Sequence, residues 1–166
     1  MKNLFSYLLF FFVTLTSVST VAASQAVFDN SRSLDGVQKA SIYFDVSLKD
    51  DALLVFRMDL LDKTIKTLGE SGLEVNAVIG IRGHASRFIT KGEHYVLDEQ
   101  VENKKKIQQW IKRFSDRGIV IEQCAIAAGM YDIAKDDFLP EVTIVGNGYV
   151  SLVGYQAQGY SVVPMD

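Results

Sequence analysis

The sequence predicts an α/β domain in which a mainly parallel sheet of five strands is covered by helices on both faces. Three observations predict it. Short β-prone apolar runs recur along the chain. Segments of helical period lie between them, and glycine, proline or a capping side chain punctuates the junctions. No repeat, low-complexity tract or internal linker interrupts the pattern.

The elements follow in order. Ala40–Val46 reads as the first strand. Lys49, Asp50 and Asp51 then offer a helix start, with an aspartate as cap. Leu54, Met58, Leu61, Ile65 and Leu68 are spaced by four, three, four and three residues, which makes one apolar helix face. Gly69 and Gly72 mark its end. Leu73–Ile81 is a second strand. Arg82, Gly83 and His84 form a loop, with a short helical turn over Ala85–Ile89. Asp98 or Glu99 opens another helix, whose apolar positions are Val101, Ile107, Trp110, Ile111 and Phe114, and Gly118 closes it. The run Lys104-Lys105-Lys106 reads as its solvated face, with Asp98, Glu99 and Glu102 ahead of it in the order that suits the helix dipole. Ile119–Cys124 is the third strand, and Ala125–Tyr131 a turn into a short helix. Val142–Val145 is the fourth strand, between Pro140 and Gly146. Asn147–Gln158 is a helix ended by Gly159, and Tyr160–Val163 is the last strand, stopped by Pro164.

The chain begins differently. Lys2 gives a positive start, Tyr7–Val13 an apolar core, and Val21, Ala22 and Ala23 the small side chains that a signal peptidase reads. This is the layout of a secretory signal cleaved after Ala23. The alternative, a retained anchor, requires an apolar span of about 20 residues, longer than the Tyr7–Val13 run. The expected organisation is a signal at 1–23, a polar lead-in at 24–39 and one α/β domain at 40–166, exported to the periplasm and free of the membrane once cleaved. Losing Lys2 takes the 17 basic residues to 16 against 20 acidic, a net charge of −4. With no clustered basic face, nucleic acid is not an expected partner. A single cysteine, Cys124, excludes an internal disulfide, so the fold must rest on its core, and a 48% hydrophobic composition supplies one.

Ligands of open α/β sheets bind beyond the carboxyl ends of the strands, where the strand order reverses. The residues at those ends are Ser47–Asp50, Arg82–Ala85, Cys124–Ala128 and Gly146–Gly148. Cys124 is the strongest nucleophile among them. It precedes a predicted helix start, where backbone N–H groups favour thiolate character. A lone cysteine is also a common core filler, and position alone leaves both readings open. His84 can reach the same end as a base or pocket group, or be an ordinary loop histidine. Arg82 and Arg87 can bind an anion there, or serve the surface. Asn147, between Gly146 and Gly148, can help hold an anion on helix N–H groups, and Asp50 lies at the end of the first strand. His94 sits in a polar loop and receives no role. Neither histidine has metal-ligand spacing, and no P-loop, dinucleotide or nucleophile-elbow pattern is present, so no metal and no cofactor is expected. Tyr149, Tyr155 and Tyr160 read as packing or subunit contacts.

Three stretches resemble the DsrE/DsrF-like sulfur-relay family, which includes TusD-type sulfurtransferase subunits. Gly118–Gly129 resembles that family's strand, cysteine and small-residue turn. Gly146–Val153, followed by Gln156–Tyr160, resembles the ending of its exported members. Arg82-Gly83-His84 sits where those members often carry His-Gly-Pro-Gly, although here the proline is absent and the histidine displaced. The resemblance covers roughly Ala40 to Pro164. It implies a flavodoxin-like three-layer sandwich, homo-oligomers (trimers or hexamers), and Cys124 as the position that carries persulfide sulfur between a thiol or sulfane-sulfur donor and an acceptor. The other expectation, of a different class, is a non-catalytic small-ligand-binding or oligomeric assembly module in which Cys124 is buried.

Overall fold

A computed structural model describes residues 29–166, so the signal read at 1–23 lies outside the described residues. At the start of the described chain, in the segment read as a lead-in, Ser31–Leu34 forms one helical turn, α1. It belongs to a unit ending at Asp35, separate from the unit Gly36–Asp166 that holds everything below.

Five strands form the sheet: β1 (Lys39–Val46), β2 (Glu74–Ile81), β3 (Val120–Cys124), β4 (Thr143–Val145) and β5 (Ser161–Met165). Every pairing is parallel, and the order is β4-β3-β2-β1-β5. Parallel neighbours require crossovers, and helices supply them. Helix α2 (Asp51–Glu70) joins β1 to β2 and α3 (Val101–Asp116) leads into β3, while the short α4 (Ala125–Met130) follows β3. Helix α5 (Gly148–Ala157) returns the chain from β4 to β5, across the sheet.

The two faces differ in character. Ile42, Phe44, Val46, Ile79, Ile81 and Ile121 alternate along the strands and share one core with Leu54, Met58, Leu61 and Ile65 of α2, Ile107, Ile111 and Phe114 of α3, and Ala128 of α4. The other face carries Tyr43, Asp45, Glu122 and Cys124, and α5 packs there. Gly80 lies on this face because a Cβ at that point would stand 1.8 Å from the Tyr43 hydroxyl oxygen. Asp50 caps α2 by accepting from the Leu53 N–H (2.7 Å). Gly72, Gly118 and Gly159, read as helix ends, take left-handed φ values of +85°, +75° and +89°.

Two expectations are corrected. The last strand does not stop before Pro164 but runs through it to Met165. β5 is an edge strand, where a residue without an N–H is tolerated. Lys104 is not on a solvated face: it is 1% exposed. Its Nζ donates to Thr90 Oγ1 (2.5 Å) and to the Gly92 carbonyl, tying the loop after β2 to α3. Lys105 and Lys106 do lie in solvent and pair with Glu93 and Glu102.

Burial pushes Lys104 down to about 8 from its usual 10.5. Between those values the unfolded chain holds a proton that the folded chain has released, so folding gains stability as pH rises. Denaturant titrations of wild type and Lys104→Met at several pH values isolate this group. The stability of wild type relative to the variant should increase from pH 8 towards pH 10.5; a flat or falling difference would contradict the burial argument.

Candidate functional site

Right-handed crossovers advancing in one direction keep successive helices on one face. The chain advances β1, β2, β3, β4 and then turns back past β1 to place β5. β3 therefore sends its chain into α4, against the core of α2 and α3, whereas β4 sends its chain into α5 on the opposite face. A crevice opens between segments that part in this way. Cys124 ends β3 on one side of it, and Asn147 and Gly148 open α5 on the other.

The crevice is a cavity of about 380 Å³ lined by Arg82, Gly83, Cys124, Ile126, Ala127, Met130, Asn147 and Tyr149. Cys124 itself is 5% exposed and unpaired. It stands at the strand-to-helix junction, with φ −70° and ψ 118°, and its side chain makes no capping bond to α4. Gly148 packs directly on it: a Cβ there would lie 3.1 Å from the Cys124 Cβ and 3.6 Å from its Sγ. A side chain larger than glycine there would push the cysteine back by a few tenths of an ångström.

Arg82 is held in place twice. Its Nε and Nη2 donate to the two carboxylate oxygens of Asp45 (2.8 and 2.7 Å), and its guanidinium lies 4.8 Å from the Tyr149 ring centroid. The bond to Asp45 holds the Arg82 guanidinium above its ordinary range. The arginine thus enters the cavity wall as a neutralised pair. Below it on the same sheet face, the Tyr155 hydroxyl donates to Glu122 Oε1 (3.0 Å), and burial together with that bond pushes Tyr155 up to about 12. Burial, and then the Glu122 charge, also push Tyr43 upward.

Of the residues singled out from sequence, the structure brings Cys124, Arg82 and Asn147 together around the cavity. Asn147 also caps α5, its Oδ1 accepting from the Tyr149 N–H (2.9 Å). His84 and Asp50 do not line it. His84 turns to the Tyr131 ring, 5.1 Å between centroids. Burial and the nearby charges of Arg87 and Lys49 hold it below its usual value. Asp50 is spent on its helix cap. Arg87 lies over the same Tyr131 ring, 5.7 Å from its centroid. Tyr149, which the sequence suggests as packing or contact, is a cavity wall. Asp45 is a site residue that the sequence does not single out. Its signal was a charge within an apolar strand, on the same side of the sheet as Arg82.

A sequence model of the DsrE/DsrF-like family matches residues 58–165. The chain belongs to the DsrE/DsrF-like family. Two solved structures are similar to it. One is a protein of unknown function, MTH1491 from Methanobacterium thermoautotrophicum, at 12% identity and a TM-score of 0.60, covering 76% of this chain and 99% of that one. The other is the ychN protein from E. coli, at 16% identity and a TM-score of 0.49, covering 76% and 98%. The likeness to MTH1491 extends to the fold. No curated protein matches the chain. Membership of the DsrE/DsrF-like family relates the protein in general terms to sulfur relay.

The Gly148 contact gives a direct check of the site. Gly148→Ala should lower stability by about 1–3 kcal/mol through overpacking and slow alkylation of Cys124 in the folded protein. A variant as stable and as reactive as wild type would show that Cys124 does not rest on Gly148.

Proposed function

We propose that this DsrE/DsrF-like protein is a periplasmic sulfur carrier, with Cys124 holding the transferred sulfur as a persulfide. The observation that carries the reading is the position of its one cysteine. Cys124 ends a strand beside the crevice where the chain reverses direction, and it lines a cavity with room for a small sulfur donor. In the transfer, the thiolate sulfur of Cys124 attacks the outer sulfur of a persulfide or polysulfide donor. The donor S–S bond breaks, its electron pair leaves on the donor sulfur, and a new S–S bond forms on Cys124. An acceptor thiolate reverses the exchange, so no external oxidant is needed. Export is supported by the pattern of Lys2, Tyr7–Val13 and Ala23. In an oxidising compartment a lone thiol has no internal partner, and a sulfur-bound resting state would protect it.

Burial of Cys124 favours a second reading, a non-catalytic small-ligand-binding or assembly module. Intact mass after incubation with inorganic polysulfide separates the two. The carrier gains sulfur on the native wild type and none on Cys124→Ser. No gain on wild type, or an equal gain on Cys124→Ser, overturns the carrier reading. A thiol that stays inert until unfolding establishes the second.

The carrier is further proposed to work as a homo-oligomer, a trimer or hexamer. Its support is the outer face of α5, where Val150 and Val153 are 67% and 63% exposed. Ile126 and Met130, exposed beside the cavity, extend that apolar surface. No charged residue occurs from Val142 to Met165, so α5 itself brings no ion to be desolvated. Sedimentation should find an oligomer for the mature wild type and smaller species for Val153→Glu. A monomeric wild type would reject the assembly.

A further inference from the structure

We propose that Gln123 is a positioning residue for Cys124, its buried carboxamide setting the rate at which the thiol takes up sulfur. The inference rests on the carrier reading above. Gln123 is 0% exposed. Its side chain points away from the cysteine's face of the sheet, into the apolar layer. Its register partners there, Ile81 and Ile144, are aliphatic, as is Ile121 two residues earlier. A methionine or leucine would suit such a slot. The carboxamide is there instead, and it is not fully matched: Oε1 is buried without a donor. An unmatched buried acceptor costs stability, so its retention calls for a reason outside packing.

The bonds it does make give that reason. Nε2 donates to the carbonyl of Cys124 (2.8 Å) and to Ser86 Oγ (2.8 Å). The first bond fixes the peptide plane between Cys124 and Ala125, where strand becomes helix. The second ties that junction to the turn Gly83–Ile89, which begins with a residue of the cavity wall. Gly148 packs on the cysteine from the opposite side. Held by an amide behind and a glycine in front, the cysteine keeps one orientation relative to the cavity. Sulfur exchange needs the attacking sulfur in line with the bond that breaks, so a loosened junction loses rate.

Gln123→Met and Gln123→Leu test this in the mature protein with inorganic polysulfide, by single-turnover persulfide formation across donor concentrations. The maximal rate should fall on the order of tenfold, with the half-saturating concentration unchanged because Gln123 does not line the cavity. The melting temperature should fall, since the Cys124 carbonyl and the buried Ser86 hydroxyl lose their donor, so rates are compared well below it, where every variant is folded. A merely structural glutamine gives a lower melting temperature with an unchanged uptake rate in the folded protein, and that result overturns the inference. If neither variant folds, the carboxamide is a requirement of the fold and the inference is likewise overturned. Alkylation by iodoacetamide separates this failure from failure of the carrier reading. A wild type that takes up no sulfur rejects the carrier. The positioning role then stands if the variants alkylate more slowly than wild type, and falls if they match it.

Discussion

The reversal of direction after β4 governs the geometry of this molecule. β5 must pair with β1 on the side away from β2, so the chain leaving β4 has to travel back over the sheet. A right-handed crossover travelling in that reversed direction lies on the face opposite α2 and α3, and α5 takes it. As a result the segments after β3 and β4 diverge, and neither fills the gap between them. Cys124, Asn147 and Gly148 meet at this gap because each ends or begins one of the diverging segments. The cavity is thus a consequence of strand order, before any side chain is considered.

Side chains then set its character. Arg82 brings positive charge to the wall, and Asp45 neutralises it through a two-point bond. Ile126, Ala127 and Met130 make much of the remainder apolar. The result is a low-polarity space beside a thiol, suited to the soft, polarisable sulfur of a persulfide in the role proposed here. The face that holds the thiol is also the less covered one, with α5 presenting Tyr149, Val150 and Val153 outward. Tyr149 belongs to both features, so a subunit docking on α5 would touch the cavity wall.

Much of this was legible in the sequence, for identifiable reasons. The spacing of Leu54, Met58, Leu61 and Ile65 named a buried helix face because nothing competes with helical period over twenty residues. Cys124, Arg82 and Asn147 were placed at strand ends, and the strand order carried them to one cavity. Asp50 and His84 occupy similar chain positions, yet local bonding claimed the first for a helix cap and aromatic contact turned the second aside. Lys104 misled because its two lysine neighbours made a charged run. Its spacing of three and seven from the buried Ile107 and Ile111 was the better guide. Gln123 could not be read at all, because the carbonyl and hydroxyl it serves come together only in the folded sheet.

In the role proposed here, Cys124 is a working thiol facing a preformed cavity. A crystal structure of the mature protein treated with polysulfide tests that claim most directly. Added sulfur should appear bonded to Cys124 Sγ and lying among Arg82, Met130 and Tyr149, with Asp45 still bound to Arg82. An unmodified Cys124, closed off from the reagent by Gly148 and Ala127 in the native crystal, would contradict it.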